Sequence, residues 1–539
     1  MQKSSPRFCT GCFTNGEKHG LFGVLKIDER AFLSQQCNIS LHRDPLGLRQ
    51  KHERSRHMGQ NYIAGTWRKG TTEIANINPS DTSDIIGHFA QASTADLEEA
   101  IGSAQAAQKI WAKTGIEARY NALMAIGTEL MARAEELGTL LAREEGKPIA
   151  EGKGEVYRAG QFFTYYGAET LRQLGENADS VRPNIEIDVR REAVGVVAII
   201  SPWNFPTATA VWKIAPALAF GNAVIWKPAN LVPASAVALT EIIAKQDLPA
   251  GLFNLVMGSG SQIGDALTRH RGINAITFTG SLDVGRTIAA AAAPNLTKLQ
   301  MEMGSKNPLI VMDDCDMDLA VACAAGGAFG GTGQKCTASS RLIVHDAIYD
   351  EFAEKLVGAA QNMVVGHALA EGTMMGPAVS ETQLNSNQNY LQIAKQEGGE
   401  ILWGGHLVDQ PTNGFFMAPA VIAGVDNNAT VNREEMFGPM TCLIKASSYE
   451  EALHIANDTE FGLTAGIMTS SLARANHFRR NATTGVVMVN LPTAGTDYHV
   501  PFGGRGSSSH GVREQGRSAV EFYTSVKTAY VGLPAGMPD

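Results

Sequence analysis

The 539-residue chain has no apolar run near the ~20 residues that a bilayer span requires. Its longest apolar stretches, around Ala193–Ile200 and Ile288–Ala293, are the size of a strand or a short helix. It has no block of Lys and Arg either, and its 45 basic residues against 54 acidic ones give a net charge of −9. That balance argues against nucleic acid as a partner. Cysteine is scarce. Seven in a chain this long make no disulfide framework, which points to a reducing, cytoplasmic setting. In the body of the chain Cys315, Cys323, Cys336 and Cys442 have no metal-ligand spacing, so no metal is expected. Internal repeats and low-complexity linkers are absent too. What is present is a 44% apolar composition on a length that calls for two or three domains.

Residues 1–57 stand apart. They combine Cys9-Thr-Gly-Cys12, Cys37 and the basic run His52-Glu-Arg-Ser-Arg-His57 without sustained periodicity. One CxxC pair is half a zinc site at most, and no signal-peptide pattern is visible. We read this segment as a disordered or non-native extension, with Met58 as the natural beginning.

From Met58 the patterning is regular. Ser93-Thr-Ala-Asp-Leu-Glu-Glu carries a helix-capping signature, and helix is expected over the next fifty residues and again over Val156–Leu174. Leu123, Ile126, Leu130 and Met131 form a core stripe. Two ribbons alternate apolar and polar residues: Ile185, Ile187, Val189, and then Val520, Phe522, Thr524, Val526, Thr528, Tyr530. They either pair with each other or extend a neighbour's sheet, and the second option makes the protein oligomeric. Between them, strands at Val194–Ser201, Ala223–Lys227, Leu252–Met257 and Ala275–Thr279 alternate with helices such as Ala234–Lys245, the βαβ rhythm of a parallel sheet. A second series begins near Leu309, with strands near Leu342–Val344, Cys442–Lys445 and Gly485–Val489. The fold class is therefore α/β, with a domain change near Gly304.

The chemistry centres on Gly330-Gly-Thr-Gly-Gln-Lys-Cys336, followed by Arg341. Small residues let backbone approach a ligand, and the neighbouring positive charge of Lys335 is expected to favour the Cys336 thiolate. A loop cysteine without function is the plainer alternative. Gly258-Ser-Gly260-Ser-Gln-Ile-Gly264 follows a strand and resembles a dinucleotide-binding turn, one residue off the usual spacing. An ordinary strand-to-helix connection explains it equally well. Asn204, between Pro202 and Pro206, is a candidate oxyanion donor, with a turn asparagine as the alternative. Lys227 ends a strand where α/β sheets bind ligands. Glu302 lies in an apolar run where desolvation raises a carboxyl towards a general base's range. A solvated lysine and a paired glutamate are the bland readings of these two.

Taken together, Pro202-Trp-Asn-Phe-Pro, Trp226-Lys-Pro-Ala, Phe278-Thr-Gly-Ser, Met301-Glu-Met-Gly-Ser-Lys-Asn-Pro, Gly333-Gln-Lys-Cys, Glu435-Met-Phe-Gly-Pro and Pro501-Phe-Gly-Gly resemble the aldehyde dehydrogenase superfamily, in order and from Met58 to about Val531. The resemblance implies a Rossmann-type cofactor domain (58–172 and 194–303), an α/β catalytic domain (304–519) and oligomerisation strands (173–193 and 520–535). It implies Cys336 as nucleophile, Asn204 and the Cys336 N–H as oxyanion donors, Glu302 as the base for hydrolysis and Lys213 in proton relay. It assigns Trp203, Lys227, Gly258, Thr279, Gly280, Ser281, Gly304, Glu435 and Phe437 to the cofactor, and Phe205 and Phe502 to the substrate. Glu302 argues against a CoA-acylating relative, and the joint presence of Asn204, Glu302 and Cys336 argues against a non-catalytic binding protein.

The stretch Val489-Asn-Leu-Pro-Thr-Ala-Gly-Thr-Asp-Tyr-His-Val-Pro-Phe-Gly-Gly, with Ser507–Gly516, resembles the 2-oxoglutarate semialdehyde (2,5-dioxopentanoate) dehydrogenases. Gly506 and His510 depart from that group, which usually has lysine and an aromatic residue there. A dicarboxylate semialdehyde needs a cation for its distal end; Arg158, with Gln161 nearby, is the candidate, against an ordinary surface arginine. Succinic, glutaric or broad aliphatic aldehydes are the alternative substrates. No acid follows Lys227 in Pro228-Ala-Asn230-Leu, so NADP is expected alongside NAD. A homodimer or homotetramer is expected.

Overall fold

The computed structural model describes residues 57, 59–70, 72–172 and 175–532. The expectations for residues 1–56 lie outside the described residues. Ser93 opens the first long helix: its Oγ accepts from the Asp96 N–H at 3.2 Å, and the Asp96 carboxylate accepts from the Ser93 N–H at 2.8 Å. This reciprocal cap satisfies donors that a helix start leaves unpaired. The helical stretch is four helices: α1 (Thr94–Trp111), α2 (Ile116–Ala132), α3 (Ala134–Glu145) and α4 (Ile149–Glu169). The α3–α4 break is dictated by Gly146 at φ 99° and Pro148 at the cap before α4. Helix α4 stops short of the expected Leu174, because Thr170 Oγ1 turns back onto the Gly167 carbonyl at 2.7 Å. Leu123, Ile126 and Leu130 are fully buried, as the stripe required.

The first sheet runs 509–511, 298–302, 275–279, 196–200, 223–227, 253–255, 61–63, 66–68. Its five central strands are parallel. Numbered along the chain, they follow the doubly wound order 3-2-1-4-5, which reverses between Val196–Ile200 and Ala275–Thr279. Such a reversal opens a crevice beyond the carboxyl ends of the two strands. The chain leaves one strand into Ser201-Pro-Trp-Asn204 and the other into Gly280-Ser281. Helix α5 (Ala208–Ala219) follows the first exit.

A second sheet runs 400–403, 420–423, 440–446, 339–345, 307–311, 464–468, 486–489, parallel except for its first strand. One hydrophobic cluster joins residues from Ile63 to Met303 with Ala519–Tyr523, and three smaller clusters lie between Leu309 and Ala482. The two alternating ribbons pair with each other: Ile185–Ala193 lies antiparallel to Thr524–Gly532, with Gly175–Asp179 on its other side. Val520 and Phe522 are not part of that strand. They sit in a short helix, Ala519–Tyr523, because Phe522 and Tyr523 are both buried, and adjacent residues of a half-exposed strand face opposite ways. Among the described residues no helix is long and apolar enough to cross a membrane.

Candidate active site

A cavity of about 610 Å³ lies at the reversal point, lined by segments from both sheets. Cys336, Glu302 and Asn204 meet on its wall, the first from the loop before strand Ser339–His345, the second from the end of strand Lys298–Glu302, the third from the exit of strand Val196–Ile200. The loop before Cys336 needs its glycines. Gly331, Thr332 and Gly333 have φ of 57°, 57° and 65°, and a Cβ on Gly333 would fall 2.0 Å from the Gly438 carbonyl oxygen. Backbone around Cys336 is gripped from both sides. Asn204 Nδ2 donates to the Gln334 carbonyl at 2.9 Å, and Asn307 Nδ2 donates to the Cys336 carbonyl at 2.8 Å and the Ala338 carbonyl at 2.9 Å.

The Asn204 turn rests on a buried ion pair. Lys147 Nζ donates to Glu155 Oε2 at 2.7 Å and to the Asn204 carbonyl at 2.6 Å, and lies 4.0 Å from the Phe205 ring centroid. Glu155 Oε1 accepts from the Thr207 and Ala208 N–H groups at the start of α5.

Glu302 is buried and accepts from Ser509 Oγ at 2.6 Å. Burial holds its carboxyl well above the usual range; the Glu514 carboxylate pushes the same way, and Ser509 and Lys213 partly offset it. The desolvation expected from the sequence is therefore present. The charge expected around Cys336 is different. Burial, with the carboxylates of Glu435 and Glu302, pushes the thiol up to about 12. Lys335 does not prevent this: its Nζ turns to the Gly326 carbonyl at 3.5 Å. Arg341 faces away, fully buried against the carbonyls of Lys306, Ile455 and Ala456.

Lys213 does not line the cavity. It is fully buried, donates to Thr277 Oγ1 at 3.0 Å and forms an ion pair with Glu514, so it acts on Glu302 only through the field. Lys147 and Glu155 lie in no motif read from the sequence, and Asn307 and Glu514, though inside the stretches Met301–Pro308 and Ser507–Gly516, are not singled out there by residue type. The contacts that matter are distant along the chain: Glu514 with Lys213, Asn307 with the Cys336 carbonyl and Lys147 with the Asn204 carbonyl.

On the other side of the cavity lie Trp203, Thr279, Gly280, Ser281, Gly304, Glu435 and Phe437. Phe437 holds φ 54° with its ring edge-on to Trp203 at 5.3 Å, a strained position for an aromatic. Glu435 Oε1 accepts from the Ser305 N–H at 2.8 Å, and burial lifts its carboxyl to about 7. A Cβ on Gly304 would fall 2.3 Å from Glu435 Oε2. Thr279 Oγ1 is buried with no protein partner. An orphaned hydroxyl, a buried carboxyl able to accept from ribose hydroxyls and two aromatics lining the cavity fit a nicotinamide dinucleotide. Lys227 and Gly258 lie outside the cavity wall. Lys227 is buried, its Nζ has only a 3.4 Å contact to the Pro228 carbonyl, and burial lowers it to about 8. Gly258 is accounted for by packing, since a Cβ would meet Ile263 Cγ1 at 2.4 Å.

Phe205, Phe502 and Arg158, expected at the substrate, line the same cavity. The Arg158 guanidinium stands 5.5 Å from the Tyr498 ring centroid and 4.0 Å from Asp497 Oδ1. Gln161 does not reach the cavity; Phe162, one residue on and nearer the Arg158 face of α4, takes that place. Gly506 and His510 also lie off the wall. Gly506 has φ 56°, and a Cβ there would meet the Glu460 carbonyl at 2.4 Å.

Residues 67–529 match the family model described as the aldehyde dehydrogenase family. The chain is 41% identical over 476 residues to the alpha-ketoglutaric semialdehyde dehydrogenase of Bacillus subtilis, covering 87% of this chain and 97% of that protein. It is 36% identical over 474 residues to the 2,5-dioxopentanoate dehydrogenase of Saccharolobus solfataricus, covering 87% and 98%. Among solved structures, the betaine aldehyde dehydrogenase of Staphylococcus aureus in complex with NAD+ superposes with a TM-score of 0.86 at 31% identity, over 88% of this chain and 94% of that one. A family model matched over most of its length and relatives at this identity and coverage show that the chain belongs to the aldehyde dehydrogenase family.

Proposed function

We propose that this aldehyde dehydrogenase oxidises 2-oxoglutarate semialdehyde to 2-oxoglutarate, with NADP or NAD as hydride acceptor. The observation that carries the substrate is Arg158: a guanidinium on the cavity wall whose nearest acid, Asp497, is exposed and 4.0 Å away. It is free to take a carboxylate in bidentate fashion. The names of the Bacillus and Saccharolobus relatives support the same substrate.

Cys336 loses its proton to water in the cavity and, as thiolate, attacks the aldehyde carbon, forming the C–S bond as the carbonyl pair moves onto oxygen. That oxygen accepts from the Cys336 N–H and the second N–H of Asn204, whose first is held by Gln334. Bound nicotinamide supplies the hydride acceptor, held by Trp203, Thr279, Gly280, Ser281, Gly304, Glu435 and Phe437, with Lys227 and Gly258 on the adenosine side. Glu302, as carboxylate, then takes a proton from the water that attacks the acyl carbon on Cys336, and the acid leaves. Lys213 and Glu514 set the field in which Glu302 works. Phe205 and Phe502 enclose the carbon chain.

Segments 58–172 and 194–303 form the cofactor domain in this reading, 304–519 the catalytic domain, and 173–193 with 520–535 the arm. Strand Thr524–Gly532 keeps one open edge, with Val526 and Tyr530 exposed, which supports assembly into a homodimer or homotetramer. The cytoplasm is the proposed location.

The test follows reduced-nicotinamide absorbance with 2,5-dioxopentanoate, succinic semialdehyde and a plain aliphatic aldehyde, with NAD and NADP, with and without CoA. Preference for the oxo acid without CoA is expected. Equal rates on all three would discard the substrate and keep the chemistry.

A further inference from the structure

Gln515 is a strained residue on the cavity wall. It is 1% exposed and holds φ 61°, ψ 170°, a region that glycine alone occupies readily. Its neighbours explain how the strain is held. Glu514 exchanges two backbone hydrogen bonds with Phe502, at 2.7 and 2.9 Å, and its carboxylate is tied to Lys213. The Gly516 carbonyl accepts from Tyr166 Oη at 3.2 Å. Clamped on both sides, Gln515 presents its side chain to the cavity, where Oε1 is buried without a hydrogen-bond partner.

A second unpartnered group lies on the same wall. Trp212 Nε1 is buried with no acceptor, its ring 5.6 Å from that of Phe502. Unmade hydrogen bonds of this kind are costly unless a ligand completes them. The charge of a dicarboxylate end is matched by Arg158. A carboxamide is neutral, and because Oε1 has no partner nothing holds its oxygen in place over its nitrogen, so a half-turn of the amide brings the N–H donors to a bound acceptor. Its natural complement is a neutral acceptor, which is the ketone oxygen.

We propose that Gln515 recognises the 2-oxo group of the substrate and so separates 2,5-dioxopentanoate from 5-oxopentanoate, which has the same carbon chain without the ketone. This rests on the substrate reading above.

The test compares kcat/KM for these two aldehydes in the wild type, Gln515→Leu and Gln515→Gly. The glycine variant takes the positive φ without strain, so it keeps the fold while removing the amide. A wild-type preference of about tenfold or more for the dioxo acid is expected, since a site built to bond a polar group rejects the analogue lacking it. Both variants should bring the two substrates within about threefold, mainly through a raised KM for the dioxo acid, with 5-oxopentanoate turnover largely kept. Variants that retain the wild-type ratio, or that lose both substrates in parallel, would overturn the role of Gln515. A wild type without preference would overturn the substrate reading, and this proposal with it.

Discussion

Two buried lysine–glutamate pairs flank the active site and differ in how completely they are satisfied. Lys147–Glu155 is closed. The ammonium also bonds the Asn204 carbonyl and lies over Phe205, and the carboxylate takes two backbone N–H groups. Lys213–Glu514 is open: Glu514 Oε2 is buried without a partner, and the charge of both residues is felt at Glu302. Both pairs act on their neighbours through charge, but only the first has its remaining hydrogen bonds made and holds backbone with them. The first fixes where Asn204 stands; the second adds to burial, through Glu514, in raising the Glu302 carboxyl, and Lys213 offsets part of that.

Three substitutions sharpen or break that contrast. The largest effect is expected from Glu302→Gln, which removes the group the open pair acts on. The acyl-enzyme should still form, giving a burst of reduced cofactor, while steady-state turnover falls by about 10²–10⁴. Undiminished turnover in a stopped-flow and steady-state comparison would take Glu302 out of hydrolysis. Next, Lys147→Met leaves Glu155 buried without its cation, which should cost about 3–5 kcal/mol in denaturant unfolding. A loss below about 1 kcal/mol would mean the closed pair is not scaffold. The smallest effect is Glu514→Gln. Because the Glu514 charge raises the Glu302 carboxyl, removing it lowers that pKa. Glu302 must be ionised to act as base, so the acidic limb of the turnover profile should move to lower pH. A limb that stays put or moves upward would break the link.

The sequence made the strand ends legible where apolar runs stop abruptly: Ala223–Lys227 and Ala275–Thr279 are strands with the expected bounds. Cys336, Glu302 and Asn204 were legible because each sits in a motif whose small or rigid neighbours single it out. Neighbourhood along the chain misled elsewhere. Lys335 adjoins Cys336 and Arg341 follows closely, yet one turns to Gly326 and the other is spent on buried carbonyls. Gln161 was placed with Arg158 by helical spacing, but a three-residue step falls short of a full turn and Phe162 faces the cavity instead. The Lys213–Glu514 pair, joined across most of the catalytic half of the chain, has no local trace. Neither does the strain at Gln515, which comes from clamping on both sides.

The two carboxamides that bracket the nucleophile, Asn204 on the Gln334 carbonyl and Asn307 on the Cys336 carbonyl, have a kinetic consequence. They immobilise the peptide planes before and after the Lys335–Cys336 link while making no bond to the sulfur. The thiol is thus left with essentially one soft coordinate, rotation about its own χ1. Side-chain hops of that kind take picoseconds to nanoseconds, whereas loop rearrangements take up to microseconds. The sulfur can swing between resting and attacking positions many times before its loop could move, so alignment of the attack need not wait on the backbone.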